Sequence, residues 1–283
     1  MIIFLEMIAV LALFFIIVMI IDCNRFIIRE YTCASDKLHK DGRFILLSDL
    51  HNKSFGKNND KLYNAIVKQK PDGILIAGDM YTSEVNERYL ETAEFVSRLS
   101  KKYAVYYGNG NHEHKTRIEP EIFGDMYEDY MGRVKSAGTT VLINEDVMLP
   151  PYNMNIYGLE MERSFYKKFS NRQMETTYLE KLLGKPDPDS FNLLIAHNPE
   201  YFETYAKWGA DLTVSGHVHG GLMRLPVLGG VISPKLRIFP RYDGGRFEKD
   251  GKIMILSRGL GTHTLPIRIF NPGELIVIHL VRE

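Results

Sequence analysis

The stretch FILLSDLHN, residues 44–52, decides the fold. Its apolar run is too short for a helix that must cover a core. Such a run, bounded by polar residues, reads as a strand buried on both faces, and Asp49 and His51 then sit just past its carboxyl end. The same texture recurs in LIAGDM (75–80), YGNGNHEH (107–114), LIAHNP (194–199) and VSGHVHGG (214–221). Strands are therefore expected at 43–48, 73–77, 103–107, 191–196, 212–215, 252–257 and 275–280. Helices are expected at 59–70 and 86–99, and more weakly at 199–208, where large apolar residues recur at spacings of three and four. Strand, helix and strand in alternation predict parallel pairing in the first half. From Thr139 the texture changes: 139–149 and 155–159 flank Pro150, Pro151 and Asn153 as a hairpin, which predicts a second, mixed sheet. The expected fold class is α/β, two stacked mixed β-sheets flanked by helices, preceded by an N-terminal transmembrane helix.

The polar residues at these strand ends are Asp49, His51, Asp79, Asn111, His112, His197, His217 and His219. In open α/β sheets the carboxyl edge is where ligands bind, so topology alone should gather them in one crevice. In Asp49-x-His51 and His217-x-His219 alternate residues of an extended chain point the same way, giving two pairs of donors. Glycines at 78, 110, 216 and 220 permit tight turns. Two divalent ions suit such a set, with Asp79 as the bridging carboxylate and imidazoles and an amide oxygen completing the shells.

In that order, Asp49/His51, Gly78/Asp79, Gly110–Glu113, His197 and Gly216–His219 resemble the DxH, GD, GNHE, H and GHxH blocks of the calcineurin-like metallophosphoesterases, over about residues 43–283. The stretches GHVHGGLMRLPVLGG (216–230) and SRGLGTHTLPIRIFNPGEL (257–275) are similar to the membrane-anchored bacterial subgroup that includes UDP-diacylglucosamine pyrophosphohydrolase-like members. The resemblance implies a hydrolase with one metal on Asp49, His51, Asp79 and His219, and a second on Asp79, Asn111, His197 and His217. It implies a hydroxide bridging the metals as nucleophile, with His112 as general acid or charge stabiliser. The ions are Mn, Fe or Zn, since this donor set does not choose among them. Asn109 lies close, but Asn111 directly precedes His112 as the pattern requires. Arg224 is a candidate phosphate clamp with an ordinary ion pair as equal competitor, and His263 is a candidate crevice residue. The implied substrate is a phosphodiester or pyrophosphate, lipid-linked or nucleotide-lipid given the anchor, with a cyclic nucleotide or other soluble phosphodiester as the alternative and an inactive metal-binding scaffold behind both.

Composition is that of an ordinary globular chain and not of a disordered or collagen-like one: 283 residues, 45% hydrophobic and 25% charged. With 35 basic against 35 acidic residues, the positive surface that nucleic acid demands is missing, and no nucleic-acid partner is expected. Two cysteines, Cys23 and Cys33, exclude a thiolate metal cluster, so the ligands must be nitrogen and oxygen. Residues 1–22 form an apolar run interrupted by Glu6 and closed by Asp22, long enough to cross a hydrocarbon core of roughly 30 Å. It has neither a basic leader nor a small-residue cleavage site, so an uncleaved single-pass anchor is expected. Arg25, Arg29, Lys37 and Lys40 follow it, which places the domain in the cytoplasm by the positive-inside rule. Residues 23–42 are expected as a connector and 43–283 as one catalytic domain. Oligomeric state is not legible. His39 and His279 carry no expected role, His114 is expected at the surface of a helix start, Asn52 behind the ligands, and Met126, Tyr127, Tyr130 and Met131 on a packed helix face.

Overall fold

Phe44 and Leu46 point one way from their strand and Ile45 and Leu47 the other, and both directions end in apolar packing. That double burial is why the run carries no polar alternation. The structure is a computed structural model and describes residues 2–167, 172–225, 229–231, 240–262 and 266–283.

In chain order, α1 (Ile2–Asn24) leads into β1 (Phe26–Ser35) and β2 (Gly42–Leu47). Then α2 (Asp60–Gln69), β3 (Gly73–Ala77), α3 (Arg88–Ser100) and β4 (Ala104–Gly108) alternate, and α4 (Asn111–Ile118), α5 (Pro120–Phe123) and α6 (Met126–Ser136) precede β5 (Thr140–Leu142). The second half holds β6 (Glu145–Leu149), β7 (Met154–Leu159), α7 (Thr176–Leu183), β8 (Phe191–Ala196), α8 (Phe202–Trp208) and β9 (Leu212–Ser215). It closes with β10 (Arg224–Leu225), β11 (Gly229–Gly230), β12 (Gly245–Lys249), β13 (Lys252–Leu256) and β14 (Gly273–Arg282).

One sheet runs β1-β14-β2-β3-β4-β5 and the other β12-β13-β9-β8-β7-β6. Both are mixed: β14 is antiparallel to β2, β12 to β13 and β6 to β7, while the central pairs are parallel. The inner faces meet through Phe44, Leu46, Leu75 and Ile276 on one side and Ile156, Leu193, Ile195 and Val214 on the other. The outer face of the first sheet is covered by Leu62 and Ile66 of α2, Val96 and Leu99 of α3, and Tyr130 and Val134 of α6. That of the second is covered by Leu179 of α7 and by Phe202, Tyr205 and Trp208 of α8. The four layers are those expected, and the helical face of Met126, Tyr127, Tyr130 and Met131 is core. Parallel β2, β3 and β4 present their carboxyl ends on the same edge as those of β8 and β9.

Two readings of the chain are corrected. The segment 139–149 is not one continuous strand: it breaks at Ile143 and Asn144, so β5 closes the first sheet, while β6 pairs antiparallel with β7 across residues 150–153 as the expected hairpin of the second. Part of the supposed connector 23–42 is β1, which pairs in parallel with β14 from Phe26↔Gly273 to Ser35↔Arg282. Its half-exposed alternation carries Arg29, Glu30 and Tyr31 among apolar residues, and its partner lies at the far end of the chain, so local pattern alone does not reveal it.

The helix α1 is exposed along most of its length and makes the only candidate membrane span among the described residues, Ile3–Asn24. Its last turn behaves otherwise: Asp22 is 2% exposed and takes Arg25 Nε at 2.9 Å.

Arg29 reaches from β1 to the fully buried Glu274, which also faces Arg258 Nε at 3.2 Å. Arg29→Ala should cost on the order of 1–3 kcal/mol, the penalty for a buried charge that loses one partner. Thermal melting of the full chain checks this; an unchanged Tm would mean that β1 is not anchored through Glu274.

Candidate metal centre

The two loops after β2 and β3 run side by side, with the N–H groups of Asp49, His51 and Asn52 donating to the carbonyls of Gly78, Asp79 and Met80 at 3.0, 3.2 and 3.1 Å. The Asp-x-His and His-x-His pairs are not extended, contrary to the reading from spacing. Asp49 (φ 49), His51 (φ 48), Asp79 (φ 54), His217 (φ 76) and His219 (φ 53) all hold left-handed backbone, which residues with a Cβ rarely adopt. Sharp turns of this kind, and not strand alternation, bring the donor atoms together.

Three overlapping trios result, Asp49/His51/His219, His51/Asp79/His112 and Asp79/His197/His217, each with its donor atoms within 4.8 Å of one another. His51 Nε2 and His219 Nε2 face each other at 3.1 Å. Asp79 Oδ2 lies 3.1 Å from His197 Nε2 and 4.0 Å from His51 Nε2. Two acceptor-rich groups joined through one carboxylate are the donor chemistry of a pair of divalent cations. Asn111 opens α4 between Gly110 and His112, and its buried Oδ1 has no hydrogen-bond partner among the described residues, as an amide oxygen meant for a cation would. The neighbouring Asn109 also has an unpartnered Oδ1 among the described residues, but its Nδ2 is held away by Glu160 Oε2 at 2.8 Å and Tyr127 Oη at 3.0 Å.

The surroundings fix these groups. Asp79 Oδ1 accepts the His112 N–H at 2.9 Å, at the start of α4 where the helix favours an anion. Glu113, fully buried, accepts from the backbone of Asp79, Met80 and Gly110 at 2.8, 2.8 and 3.0 Å and from Tyr107 Oη at 2.7 Å. Gly110 is required, because a Cβ there would overlap Asp79 Oδ1. Asp49 accepts the His217 N–H at 3.0 Å, and His197 Nδ1 meets the Ala77 carbonyl at 2.5 Å, which leaves Nε2 turned to Asp79. Tyr166 caps the far wall, its ring 5.3 Å from that of His217.

Burial pushes the Asp49 carboxyl up to about 6, opposed by His197 and aided by Asp79. Burial acts on Asp79 in the same sense, yet the charge and hydrogen bond of His197 override it and hold the group well below the usual carboxylate range. Burial works against charging His197, and the Asp79 carboxylate reverses that, raising the imidazole to about 10. Burial, then Asp79, lifts Glu113 to about 7.

His112 is 8% exposed in its side chain and its Nε2 lies 4.0 Å from Asp79 Oδ2. The Ser83 backbone N–H donates to His112 Nδ1 at 2.8 Å. A ring nitrogen that accepts cannot carry a proton, so the hydrogen of the neutral imidazole resides on Nε2, directed at the cluster. Sequence reasoning missed Ser83, Glu113, Tyr107 and Tyr166; only Glu113 carried a signal, its place in the GNHE block.

The other candidates have partners of their own among the described residues. Arg224 makes the ordinary ion pair that was its alternative reading, its Nη1 on the carbonyls of Gly220 (3.1 Å) and Asp243 (2.7 Å) and on the Asp243 carboxylate (3.0 Å). His114 is not a surface residue but sits 3.3 Å from Glu160 Oε2. Asn52 stands behind His51, bonded to Thr82 and Thr92. His279 pairs with Glu30 across β14 and β1. His263 lies outside the described residues.

Comparison with known proteins gives the same direction. The family model described as "Calcineurin-like phosphoesterase" matches residues 42–221. An uncharacterized metallophosphoesterase of Helicobacter pylori is 26% identical over 90% of this chain and 64% of its own length, so the chain spans less than two thirds of that relative. A metallophosphoesterase of Aquifex aeolicus is 25% identical over 89% of this chain and 90% of its own. The phosphodiesterase YaeI of Escherichia coli is 28% identical over 84% and 82% respectively.

Proton competition gives this centre a pH signature. At neutral pH His197 holds a proton that a metal must expel, and as pH falls through about 6 Asp49 takes up a second. Apparent affinity for Mn should therefore rise about tenfold per pH unit from about pH 7 to 9 and fall more steeply, about a hundredfold per unit, on acidification below Asp49's range. Chelator competition across that range checks it, and a flat profile would contradict the assignment of His197.

Proposed function

The chain belongs to the calcineurin-like phosphoesterase family, and from that premise we propose that it is a dinuclear-metal phosphohydrolase that cleaves a phosphodiester or pyrophosphate bond at the crevice around Asp79. The observation that carries this reading is the pair of donor groups sharing the buried Asp79 carboxylate. Asp49, His51, Asp79 and His219 would hold one ion, and Asp79, Asn111, His197 and His217 the other. Two ions held there supply charge neutralisation for the phosphoryl oxygens and lower the pKa of water. The residues' own share is orientation: Glu113 holds the loop of Asp79, Ala77 orients His197, and Ser83 fixes the tautomer of His112.

With Nδ1 engaged by Ser83, His112 offers a hydrogen bond from Nε2 and no spare proton to a leaving group. Charge stabilisation thus takes precedence over general-acid catalysis. The bond cleaved is assigned as a diester first, in line with the name of the Escherichia coli relative. The apolar, exposed α1 favours a substrate held in a membrane, such as a lipid-linked or nucleotide-lipid pyrophosphate, with the domain on the cytoplasmic side where Arg25 and Arg29 follow the helix. Bis-p-nitrophenyl phosphate, nucleotide pyrophosphates and lipid pyrophosphates, tested on the purified full chain with Mn, Fe and Zn, decide between these. Turnover of cyclic nucleotides alone favours the soluble-diester alternative, and a metal-loaded protein with no turnover favours a scaffold.

Because Asp22 is tied to the domain, release from the membrane is best tested by removing residues 1–21, which leaves it in place. The shortened chain should appear in the soluble fraction; continued membrane binding would mean a second attachment surface.

Substituting His112→Ala should leave metal content intact and lower turnover roughly 10²–10³-fold, the size of one lost oxyanion donor. The deficit should persist with p-nitrophenolate as leaving group. Its disappearance there would make His112 a general acid and overturn the tautomer argument. Asp79→Asn should instead lower metal content and activity together.

A further inference from the structure

We propose that Asp22 and Asn271 are positioning residues that make the last turn of α1 part of the scaffold of the His219 turn. Asp22 is buried although it ends a helix that is otherwise apolar and exposed. An acidic residue in a last turn opposes the helix dipole, so the helix itself gives no reason for it. Its Oδ2 accepts the backbone N–H of Asn271 at 3.0 Å. The side chain of Asn271, itself fully buried, turns the other way: Nδ2 donates to the carbonyls of His219 at 2.7 Å and Gly221 at 2.8 Å. One residue thus joins the helix carboxylate to the turn that carries His219.

That turn needs an external hold. His219 (φ 53) is left-handed at the steric cost of its Cβ, and Gly220 (φ 68) and Gly221 (φ 84), left-handed without that cost, add backbone freedom that must be frozen. A donor spanning the carbonyls on either side of Gly220 pins the conformation. Close packing adds to it, since a Cβ on Gly220 would sit 2.7 Å from Asn271 Oδ1.

The same segment also reaches Asp49. The buried guanidinium of Arg268 donates to the carbonyls of Asn271, Arg258, Gly259 and Gly261 at 3.1, 2.9, 3.2 and 2.6 Å. The Gly261 N–H donates in turn to the Asp49 carbonyl at 2.7 Å. α1 touches this segment at further points, with Cys23 Sγ donating to the Pro266 carbonyl at 3.3 Å and the rings of Phe14 and Phe15 lying 6.4 and 6.3 Å from Phe270. The helix and the metal-site turn are therefore one hydrogen-bonded unit. The inference leans on the proposed function only in taking His219 as a ligand.

The test uses the full chain in detergent micelles, with Asp22→Ala, Asp22→Asn and Asn271→Ala. Amide exchange is followed at residues 217–221, where His217 N–H is held by Asp49 and Gly221 N–H by the Val218 carbonyl, with β3 as internal reference. Binding of Mn is measured by equilibrium dialysis. Asp22→Ala and Asn271→Ala should speed exchange at these amides about tenfold relative to β3 and weaken Mn about 10–100-fold, the range for lost support behind a ligand. Asp22→Asn, which keeps an acceptor oxygen, should recover most of both. Folded alanine variants whose local exchange matches the wild type overturn the proposal; if Asp22→Ala does not fold, Asn271→Ala decides by the same readout. A wild type that takes up none of Mn, Fe and Zn defeats the proposed function, while the exchange comparison still decides the inference.

Discussion

Asp79 is held ionised in a place where water cannot help it, and the crevice is arranged around that constraint. A buried carboxylate is costly unless its charge is met on every side. Here Oδ1 takes the His112 N–H at the start of α4, and Oδ2 faces His197, His51 and His112. The imidazoles must therefore come from separate strand ends: His51 after β2, His112 beside β4, His197 after β8. The order of strands in the two sheets, and the parallel pairing that aligns their carboxyl ends, are what allow those ends to meet over one carboxyl group.

The second constraint is conformational. Five of the clustered residues hold left-handed backbone, at a cost on the order of 1 kcal/mol or more each, and the neighbourhood over-determines each turn. Asp49 accepts the N–H of His217, Glu113 collects three N–H groups around Asp79, and Asn271 spans the turn of His219. Strain and support lie within the same few loops, which explains why so much polar hydrogen bonding is buried beneath a site whose obvious chemistry needs only the outermost atoms.

Much of this was legible from residue pattern. Buried parallel strands announce themselves as short apolar runs, and a polar residue just past such a run has nowhere to go but the sheet edge. That is why Asp49, Asp79 and His197 can be placed at one sheet edge from the sequence alone. The features missed share one property: they act through backbone groups or through partners remote in sequence. Ser83 matters by its N–H, which no residue name reveals. Asn271 acts on carbonyls some fifty positions earlier, and β1 finds its partner only in β14. The extended geometry inferred for the paired donors failed for a related reason, since spacing reports which residues are near one another but not the sign of φ.

The position of β14 bears on how the chain is assembled. It lies between β1 and β2 in the first sheet, so two strands made early in synthesis can join only after one made very late has arrived. Contacts this distant in sequence are slow to form, because closing the loop costs entropy before any pairing repays it. Until then β2, β3 and β4 present an open edge where β14 belongs, an invitation to pair with another chain. Insertion of β14 would then bring in Asn271 and Glu274 together, closing the sheet, ordering the His219 turn and neutralising Arg29 in one step.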